Sequence, residues 1–459
     1  MESSRTGSWQ TTATRYVTGR GLPVGLLLLA AVTFSARDVY AVPSFARQTG
    51  LACSSCHTVF LELTSFGRAF KLHGYTTQGM KELEEPGTDQ APPLNINRTF
   101  PLSVMLQTSI TRTDTKQPDT QNGNVEFPQQ LSLFLAGEIT PHIGTFIQAT
   151  YTGQDDHFSL DNTDIRYADS TQIGNKELIY GITLNNNPTV EDLWHTTPAW
   201  GWPFAAADSA PTPAAAALID GGLGQQVAGL GAYGLWNKHL YGNVTLYRSA
   251  HIGSSQPPSS TDSDTIRDVA PYWRLAWQQN WGINYLEVGT YGMFAQLYPE
   301  GVSGSTDKFT DVAFDTQFER PFGKDWLSAH ATYIYENQQL DSTFAAGGSS
   351  NHSDKLHTFR LDAIYHLRSR LSLALGYFLT SGTSDSLLYQ PAAIEGSVNG
   401  SPDSNGLNAE IGFFPWQNVR LSLLYTAYME FNGRTNNYDG FGRSSFDNNT
   451  LYLLAWLMF

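Results

Sequence analysis

The chain has 459 residues, of which 15% are charged and 13% are aromatic, and its formal net charge is −15. This acidity argues against a nucleic-acid partner, because binding to phosphates needs a basic surface. Beyond an N-terminal signal, the sequence has no apolar run of the roughly 20 residues that a transmembrane helix requires. A membrane-spanning fold would therefore be a closed β-barrel, and the mean hydropathy of −0.28 is typical of one.

Residues 1–41 have the organisation of a secretory signal peptide. Three arginines precede an apolar stretch over residues 22–34, and Val39-Tyr40-Ala41 provides a small-residue cleavage site. The alternative is an uncleaved helical anchor, for which the apolar stretch is short. We therefore predict export and cleavage after Ala41.

The two cysteines of the chain both lie in the motif Cys53-Ser54-Ser55-Cys56-His57. This is the C-x-x-C-H pattern of c-type haem attachment, in which two thiols bind the vinyl groups and the histidine ligates the iron on its proximal side. A thioredoxin-like pair would need a surrounding βαβ pattern, and a zinc site would need a second pair of ligands. Neither these interpretations nor a plain disulfide explains the adjacent histidine. The motif predicts one covalently attached haem c, bound by Cys53, Cys56 and His57.

The sixth ligand of the haem iron has three candidates. His73 and Met80 follow the motif closely, and Met105 lies at the start of the first strand expected in the barrel. A methionine would raise the reduction potential relative to a second histidine. We expect His73 as the distal ligand, with Met80 and Met105 as alternatives. Without such a role, His73 would be a solvated loop residue and the methionines would pack against haem or barrel wall.

Residues 42–99 form the predicted monohaem cytochrome c segment. So short a chain hardly builds an adequate core, and it cannot bury a haem on every side by itself. We expect this segment to act as a plug that docks into or against the periplasmic mouth of the barrel.

Residues 100–459 are expected to form an all-β domain, a transmembrane antiparallel β-barrel of about 16 strands. Along residues 371–379, apolar residues alternate with small or polar ones, so that Leu373 and Leu375 share one face. The same period recurs along residues 419–430. This alternation indicates strands that face lipid on one side and a polar lumen on the other.

Connections between the expected strands alternate in length. Short turns are expected near residues 140–142, 237–238, 280–282, 321–324, 368–369 and 415–418, and long polar loops near 114–124, 250–268, 338–354, 382–404 and 432–447. Outer-membrane barrels have short periplasmic turns and long external loops in this order. An even strand number places both termini in the periplasm, and the chain closes on an alternating apolar strand that ends at Phe459. The expected location is the outer membrane of a Gram-negative bacterium, in contact with its lipid.

One long connection, from Asn185 to about Gln226, is rich in tryptophan and proline. An aromatic patch of this kind usually packs against another surface rather than remaining exposed to water. We expect this connection to fold into the lumen near the haem and to narrow or plug the pore. The alternative is a packed surface loop or part of an aromatic belt.

Several motifs together resemble the beginning of the fused outer-membrane cytochrome-porins, a group that includes the iron oxidases of iron-oxidising bacteria. They are Val42-Pro43-Ser44-Phe45-Ala46-Arg47-Gln48-Thr49-Gly50, the C-x-x-C-H motif, Glu62-Leu63-Thr64 and Phe66-Gly67-Arg68. The resemblance implies a monohaem cytochrome that plugs a barrel of about sixteen strands. It also implies that electrons pass from an extracellular donor such as Fe(II) to periplasmic carriers. Only Cys53, Cys56 and His57 are carried over as site residues.

Three functions remain open. The first is an outer-membrane cytochrome c-porin that transfers electrons, with Fe(II) oxidation as its enzymatic activity where Fe(II) is the donor. The second is a diffusion porin whose haem segment acts as a gate or sensor. The third, a haem enzyme with an open sixth position, is disfavoured by the histidine and methionines near the motif. Conductance would separate the first two, because an open pore passes ions and a plugged conduit does not.

Overall fold

The structure is a computed structural model, and it describes residues 42–58, 61–77, 80, 82–88, 92–250 and 257–459. The predicted signal peptide over residues 1–41 lies outside the described residues. The described residues all fall in one compact unit.

The N-terminal segment, defined as residues 42–99, contains the short helices α1 (Pro43–Thr49), α2 (Cys53–Cys56) and α3 (Ser65–Leu72). Pro43 begins α1, because its fixed φ suits a first helical turn, and Gly50 ends it in the left-handed region with a φ of 68°. Thr64 caps α3 by accepting a hydrogen bond from the backbone N–H of Gly67. Among the described residues, no helix is both long enough and apolar enough to cross a lipid bilayer.

Three further short turns lie in connections between strands: α4 (Asp341–Ala345), a π turn (Leu218–Gly222) and a 3₁₀ turn (Ser445–Asn448). The described residues also form strands β1 (Glu82–Glu85), β2 (Leu94–Asn97), β3 (Leu102–Thr113), β4 (Asn124–Thr140), β5 (Ile143–Thr152), β6 (His157–Ile173), β7 (Lys176–Asn185), β8 (Val227–Trp236), β9 (Leu240–Ser249), β10 (Thr265–Ile266), β11 (Ala270–Trp281), β12 (Asn284–Tyr298), β13 (Asp307–Phe322), β14 (Asp325–Gln339), β15 (Ser353–Leu367), β16 (Leu371–Gly382), β17 (Ser404–Trp416), β18 (Val419–Glu430) and β19 (Thr450–Met458).

Sixteen of these strands close into one antiparallel barrel. The strands from β3 to β19, apart from the two-residue β10, pair in sequence order, and β19 pairs with β3 to close the wall. At the position of β10, β9 pairs directly with β11, while β10 pairs with β12. β1 and β2 form a separate two-stranded hairpin. The prediction of an all-β barrel of about 16 strands is confirmed.

The two faces of the wall differ in the way the sequence pattern predicts. Leu373 and Leu375 of β16 are 46% and 61% exposed, whereas Ser372 and Ala374, which alternate with them, are buried. β18 repeats the pattern, with exposed leucines alternating with buried polar residues in its first half. Rows of outward apolar side chains form the lipid-facing surface that a membrane-spanning barrel needs.

The connections alternate between short turns at one end of the barrel and longer loops at the other. The short turns span residues 141–142, 174–175, 237–239, 282–283, 323–324, 368–370 and 417–418. β3 begins and β19 ends at the short-turn end, where Val104 and Phe459 exchange backbone hydrogen bonds of 2.7 and 2.9 Å. This arrangement, together with the apolar outer face, is that of a porin-like barrel of the outer membrane.

The N-terminal segment packs against the inner face of this wall. The Ser44 hydroxyl and the Gln48 side-chain amide both donate to the carbonyl oxygen of Ala136 in β4, at 2.5 and 2.9 Å. Further along, Arg68 forms an ion pair of 2.7 Å with the buried carboxylate of Glu319 in β13. The segment is therefore inserted into the barrel rather than attached to its outside.

The connection between β7 and β8, residues 186–226, also folds into the barrel, and we call it the lumen loop. Val190 and Trp194 in this loop have no exposed surface. The Thr332 hydroxyl of β14 donates to the carbonyl oxygen of Thr196 at 2.5 Å, and the Trp202 indole N–H donates to Glu410 of β17 at 3.0 Å. The expectation that this connection folds into the lumen is confirmed.

Candidate functional site

A cavity of about 410 Å³ lies between the N-terminal segment, the lumen loop and one side of the barrel wall. Cys53, Cys56 and His57 all line it. The wall contributes side chains from β3 to β6 and from β19, and the lumen loop contributes residues between Asp192 and Phe204. This volume is within the range of about 300–1,000 Å³ for pockets that enclose small molecules and cofactors.

A single helical turn holds the two cysteines together. α2 begins at Cys53 and ends at Cys56, and the backbone N–H of His57 donates to the carbonyl oxygen of Cys53 at 2.8 Å. α3 approaches this turn so closely that a Cβ on Gly67 would come within 2.2 Å of the carbonyl oxygen of Cys56. Glycine is therefore required at position 67 for the helix to pack against the motif.

The chemistry of the motif is that of two neutral thiols beside an imidazole. No disulfide joins Cys53 and Cys56. Burial raises the pKa of Cys53 to about 12 and that of Cys56 to about 11, so both are protonated at neutral pH. Within the described part of the chain, no cluster of three or more His, Cys, Asp or Glu side chains could hold a bare metal ion. A structural zinc site needs four such ligands, so this donor set does not support the zinc interpretation of the cysteine pair.

The three candidates for a distal ligand occupy different surroundings. Met105 lines the cavity and is 3% exposed. His73 caps the end of α3, and Met80 packs with Phe70 and Tyr75. Neither His73 nor Met80 is among the described residues that line the cavity.

The residues of α3 that line the cavity all precede His73. Gly67, Phe70 and Lys71 line the cavity, and this spacing of three and four residues places them on one face of the helix. His73 follows the last residue of α3 as its C-cap, and it is not among the described residues that line the cavity. The sequence showed a histidine near the motif but did not show which face of α3 would meet the cavity.

Lys71 connects α3 to the lumen loop. Its ammonium group donates to the carbonyl oxygens of Val190 and Asp192, at 2.7 and 2.8 Å, and lies 4.8 Å from the centre of the Trp200 ring. Burial lowers the pKa of Lys71 to about 7, and the neighbouring Arg166 acts in the same direction. Lys71 therefore holds the lumen loop against the N-terminal segment at the edge of the cavity.

His195 makes a second connection between the two segments. The backbone N–H of Leu63 donates to Nε2 of His195 at 3.2 Å, so Nδ1 carries the proton and donates to the carbonyl oxygen of Trp200 at 3.2 Å. Burial lowers the pKa of His195 to about 4 and keeps the ring neutral. Both ring nitrogens are thus engaged in hydrogen bonds.

Buried charges fix both segments to the wall around the cavity. Glu62 accepts a hydrogen bond of 2.9 Å from Ser328 and pairs with His366 at 3.0 Å. Burial opposes the ionisation of Glu62, but His366, together with His330 and His195, outweighs it and the pKa of Glu62 falls to about 2. In the lumen loop, Asp192 pairs with Arg274 of β11 at 3.3 Å. A buried charge without its partner is costly, so these pairs specify where each segment lies.

Sequence analysis identified the three residues of the motif and the lumen loop as a whole, but it missed several residues that surround the cavity. These are Lys71, His195, Met458 and the glutamines Gln107, Gln130 and Gln148. Each is an isolated residue with no motif around it. Tryptophan and proline enrichment was the only signal in the lumen loop, and it indicated burial without indicating which residues reach the cavity.

No protein-family model matches the chain, and no curated protein sequence matches it. Several solved structures of outer-membrane proteins are similar in fold. The outer membrane channel DcaP of Acinetobacter baumannii is 12% identical, with a TM-score of 0.46, over 78% of this chain and 96% of that one. The anion-selective porin from Comamonas acidovorans is 11% identical, with a TM-score of 0.44, over 78% and 98%. OmpT of Vibrio cholerae, folded in vitro, is 10% identical, with a TM-score of 0.41, over 78% and 96%. These likenesses concern the fold alone.

Proposed function

We propose that this barrel carries one covalently attached haem c in its interior cavity and transfers electrons across the outer membrane. The observation that carries the proposal is that Cys53, Cys56 and His57 all line a cavity enclosed by the barrel wall. The two thiols lie one helical turn apart, which is the separation that attachment to two vinyl groups requires. A membrane wall around such a motif suits a protein that carries electrons through lipid.

The side chains around the cavity fit a haem. Cys53 and Cys56 would form the two thioethers, and His57 would ligate the iron on the proximal side. Phe134 and Trp200 are among the aromatic residues that line the cavity and would exclude water from the macrocycle. When bound, the haem iron accepts and releases one electron.

Electron transfer rather than solute diffusion suits the contents of the lumen. The N-terminal segment and the lumen loop both occupy the interior, and Lys71 and His195 connect one to the other. A donor outside the cell gives up one electron, and a periplasmic carrier takes up one electron. With Fe(II) as donor, Fe(III) is the product, and no proton has to move.

Fe(II) is the donor that the resemblance to cytochrome-porins implies. The net charge of −15 agrees with it, because an acidic protein concentrates cations near its surface. Two acidic residues of the external loops, Asp385 and Asp439, do not contribute to this attraction of cations at the surface. Both are buried and accept hydrogen bonds from loop backbone N–H groups. The donor therefore needs a direct test.

Reconstituted liposomes provide that test. The purified protein is inserted into vesicles that contain a membrane-impermeant oxidant, and Fe(II) or an impermeant reduced dye is added outside under anaerobic conditions. We expect the internal oxidant to be reduced with either donor, and the variant Cys53→Ala/Cys56→Ala to be inactive. Reduction by the dye but not by Fe(II) would contradict iron oxidation and retain electron transfer. No reduction with either donor would overturn the proposed function.

The alternative function is a diffusion porin in which the N-terminal segment acts as a gate. The porin-like barrel favours this alternative. The lumen that is filled by the N-terminal segment and the lumen loop favours electron transfer. Planar-bilayer conductance separates the two, because a porin passes ions readily in the state described here. We expect a conductance far below that of an open barrel with this strand number.

A further inference from the structure

Two methionines line the cavity side by side on the barrel wall. Met105 of β3 and Met458 of β19 are cross-strand partners, and each is 3% exposed. Both side chains point inward and contribute to the cavity. A thioether is a recognised axial ligand of haem iron, and it raises the reduction potential relative to a second histidine.

The other potential iron ligands along the cavity are already engaged. Both ring nitrogens of His195 take part in hydrogen bonds, one with Leu63 and one with Trp200. The ammonium group of Lys71 donates to two carbonyl oxygens of the lumen loop. Either residue would have to release the lumen loop from the N-terminal segment before it could bind iron.

Met105 differs from Met458 in how its sulfur is held. The side-chain amide of Gln107, two residues further along the same strand face, donates a hydrogen bond of 3.9 Å to the sulfur of Met105, and both side chains line the cavity. A thioether sulfur has two lone pairs, so this bond leaves one of them for iron. Residues two apart in a strand point to the same side, so this contact keeps the sulfur directed toward the lumen. Met458 lies one residue before the C-terminus, with its backbone bound to Asn418.

We infer that Met105 would supply the second protein ligand of the haem iron besides His57, and that Met458 packs beside Met105 without binding iron. The inference rests on the proposed function, because it requires a haem in the cavity. It replaces His73 as the expected ligand, since Met105 lines the cavity, whereas His73, the C-cap of α3, is not among the described residues that do.

The experiment compares Met105→Leu with Met458→Leu in the purified, haem-loaded protein. Leucine nearly conserves the volume of methionine, so both variants should fold. The ferric wild-type protein should show the weak red absorption band that is characteristic of a methionine sulfur on haem iron. We expect Met105→Leu to lose this band and Met458→Leu to keep it. A third variant, Met105→His, should give a six-coordinate spectrum without the band and a lower reduction potential than the wild type.

Retention of the band in Met105→Leu, its loss in Met458→Leu, or its absence from the wild type would each overturn the inference. Staining for haem that stays on the chain after denaturation reports attachment independently of the sixth ligand. Attached haem without methionine ligation would therefore reject Met105 alone, whereas no attached haem would reject the proposed function as well.

Discussion

In the barrel wall, β15 and β16 pair over residues 356–367 and 371–382 without a shift in register, whereas the N-terminal segment contacts the same wall through individual buried side chains. The wall repeats one backbone pattern many times, so each residue contributes a little to its stability. The segments inside the barrel depend on a few ion pairs and hydrogen bonds between residues far apart in sequence, such as Arg68 and Glu319.

This difference means that the contents of the barrel can be altered without altering its wall. Removing one member of a buried ion pair leaves an uncompensated charge, which is costly locally. An antiparallel wall with outward apolar rows remains stable in lipid by its own hydrogen bonds. Substitutions in the interior should therefore release a segment, and substitutions on the outer face should affect the wall.

The largest effect is expected for Arg274→Ala. Arg274 is fully buried, and the same terminal nitrogen lies 3.3 Å from Asp192 in the lumen loop and 2.7 Å from Asp315 in the wall. We expect its removal to destabilise the packing of the lumen loop by about 3–5 kcal/mol, because Asp192 and Asp315 would lose the buried guanidinium that pairs with both of them. Protease cleavage within residues 186–226 measures the release.

The control for this variant is Arg267→Ala, which removes an exposed pair with Asp268 and should leave cleavage unchanged. The heat-dependent shift in gel mobility of a folded barrel reports the wall. If Arg274→Ala unfolds the barrel as readily as it releases the loop, the separation between wall and contents is wrong.

A somewhat smaller effect is expected on the outer face for Leu375→Arg. Leu375 is 61% exposed on β16, with Ala363 and Ala409 as its cross-strand partners. A charge facing lipid costs about 2–4 kcal/mol near the bilayer midplane and less near the interface. Urea unfolding in lipid vesicles should show a lower midpoint for Leu375→Arg than for Leu375→Ala. Equal midpoints for the two variants would place this face in water rather than in lipid.

These outer-face positions are also where the sequence was most informative. Alternation along β16 and β18 is a local pattern, and it predicted which leucines face outward. The turn at residues 174–175 and the loops at 153–156 and 299–306 are not among the connections named from the sequence. The predicted strand number was therefore approximate, at about sixteen.

The candidate site divides in the same way. Cys53, Cys56 and His57 form a contiguous motif, so their chemistry was evident from the sequence. Which residues surround them depends on how α3 and the lumen loop are oriented inside the barrel, and that depends on distant partners such as Glu319 and Arg274. No local pattern encodes those pairs, so the sequence could not show that Met105 lines the cavity and that His73 is not among its lining residues.

The smallest expected effect is on the packing of the N-terminal segment, and it develops at acidic pH. The pKa of Glu62 falls from 4.5 to about 2 on folding, because stabilisation by His366, with contributions from His330 and His195, exceeds the cost of burial. A carboxylate with a depressed folded pKa stabilises the packed segment above its unfolded pKa and loses that contribution as the pH falls. We expect the segment to become more susceptible to protease as the pH falls from about 4.5 to 2.

Glu62→Gln is the matched variant for this pH dependence. It retains the size of the side chain and removes the titrating group, so its susceptibility should be higher at neutral pH and should change less between pH 4.5 and 2. The same pH dependence in the wild type and in Glu62→Gln would assign the acid sensitivity to other carboxylates.

The most direct measurement of the central claim is haem that remains on the chain after denaturation of the purified protein, measured by its reduced visible spectrum. We expect one covalently attached c-type haem per chain in the wild type and none in Cys53→Ala/Cys56→Ala, with the barrel still folded in both. A folded wild-type barrel whose chain carries no haem, although it was made in cells that mature c-type cytochromes, would contradict the electron-transfer function.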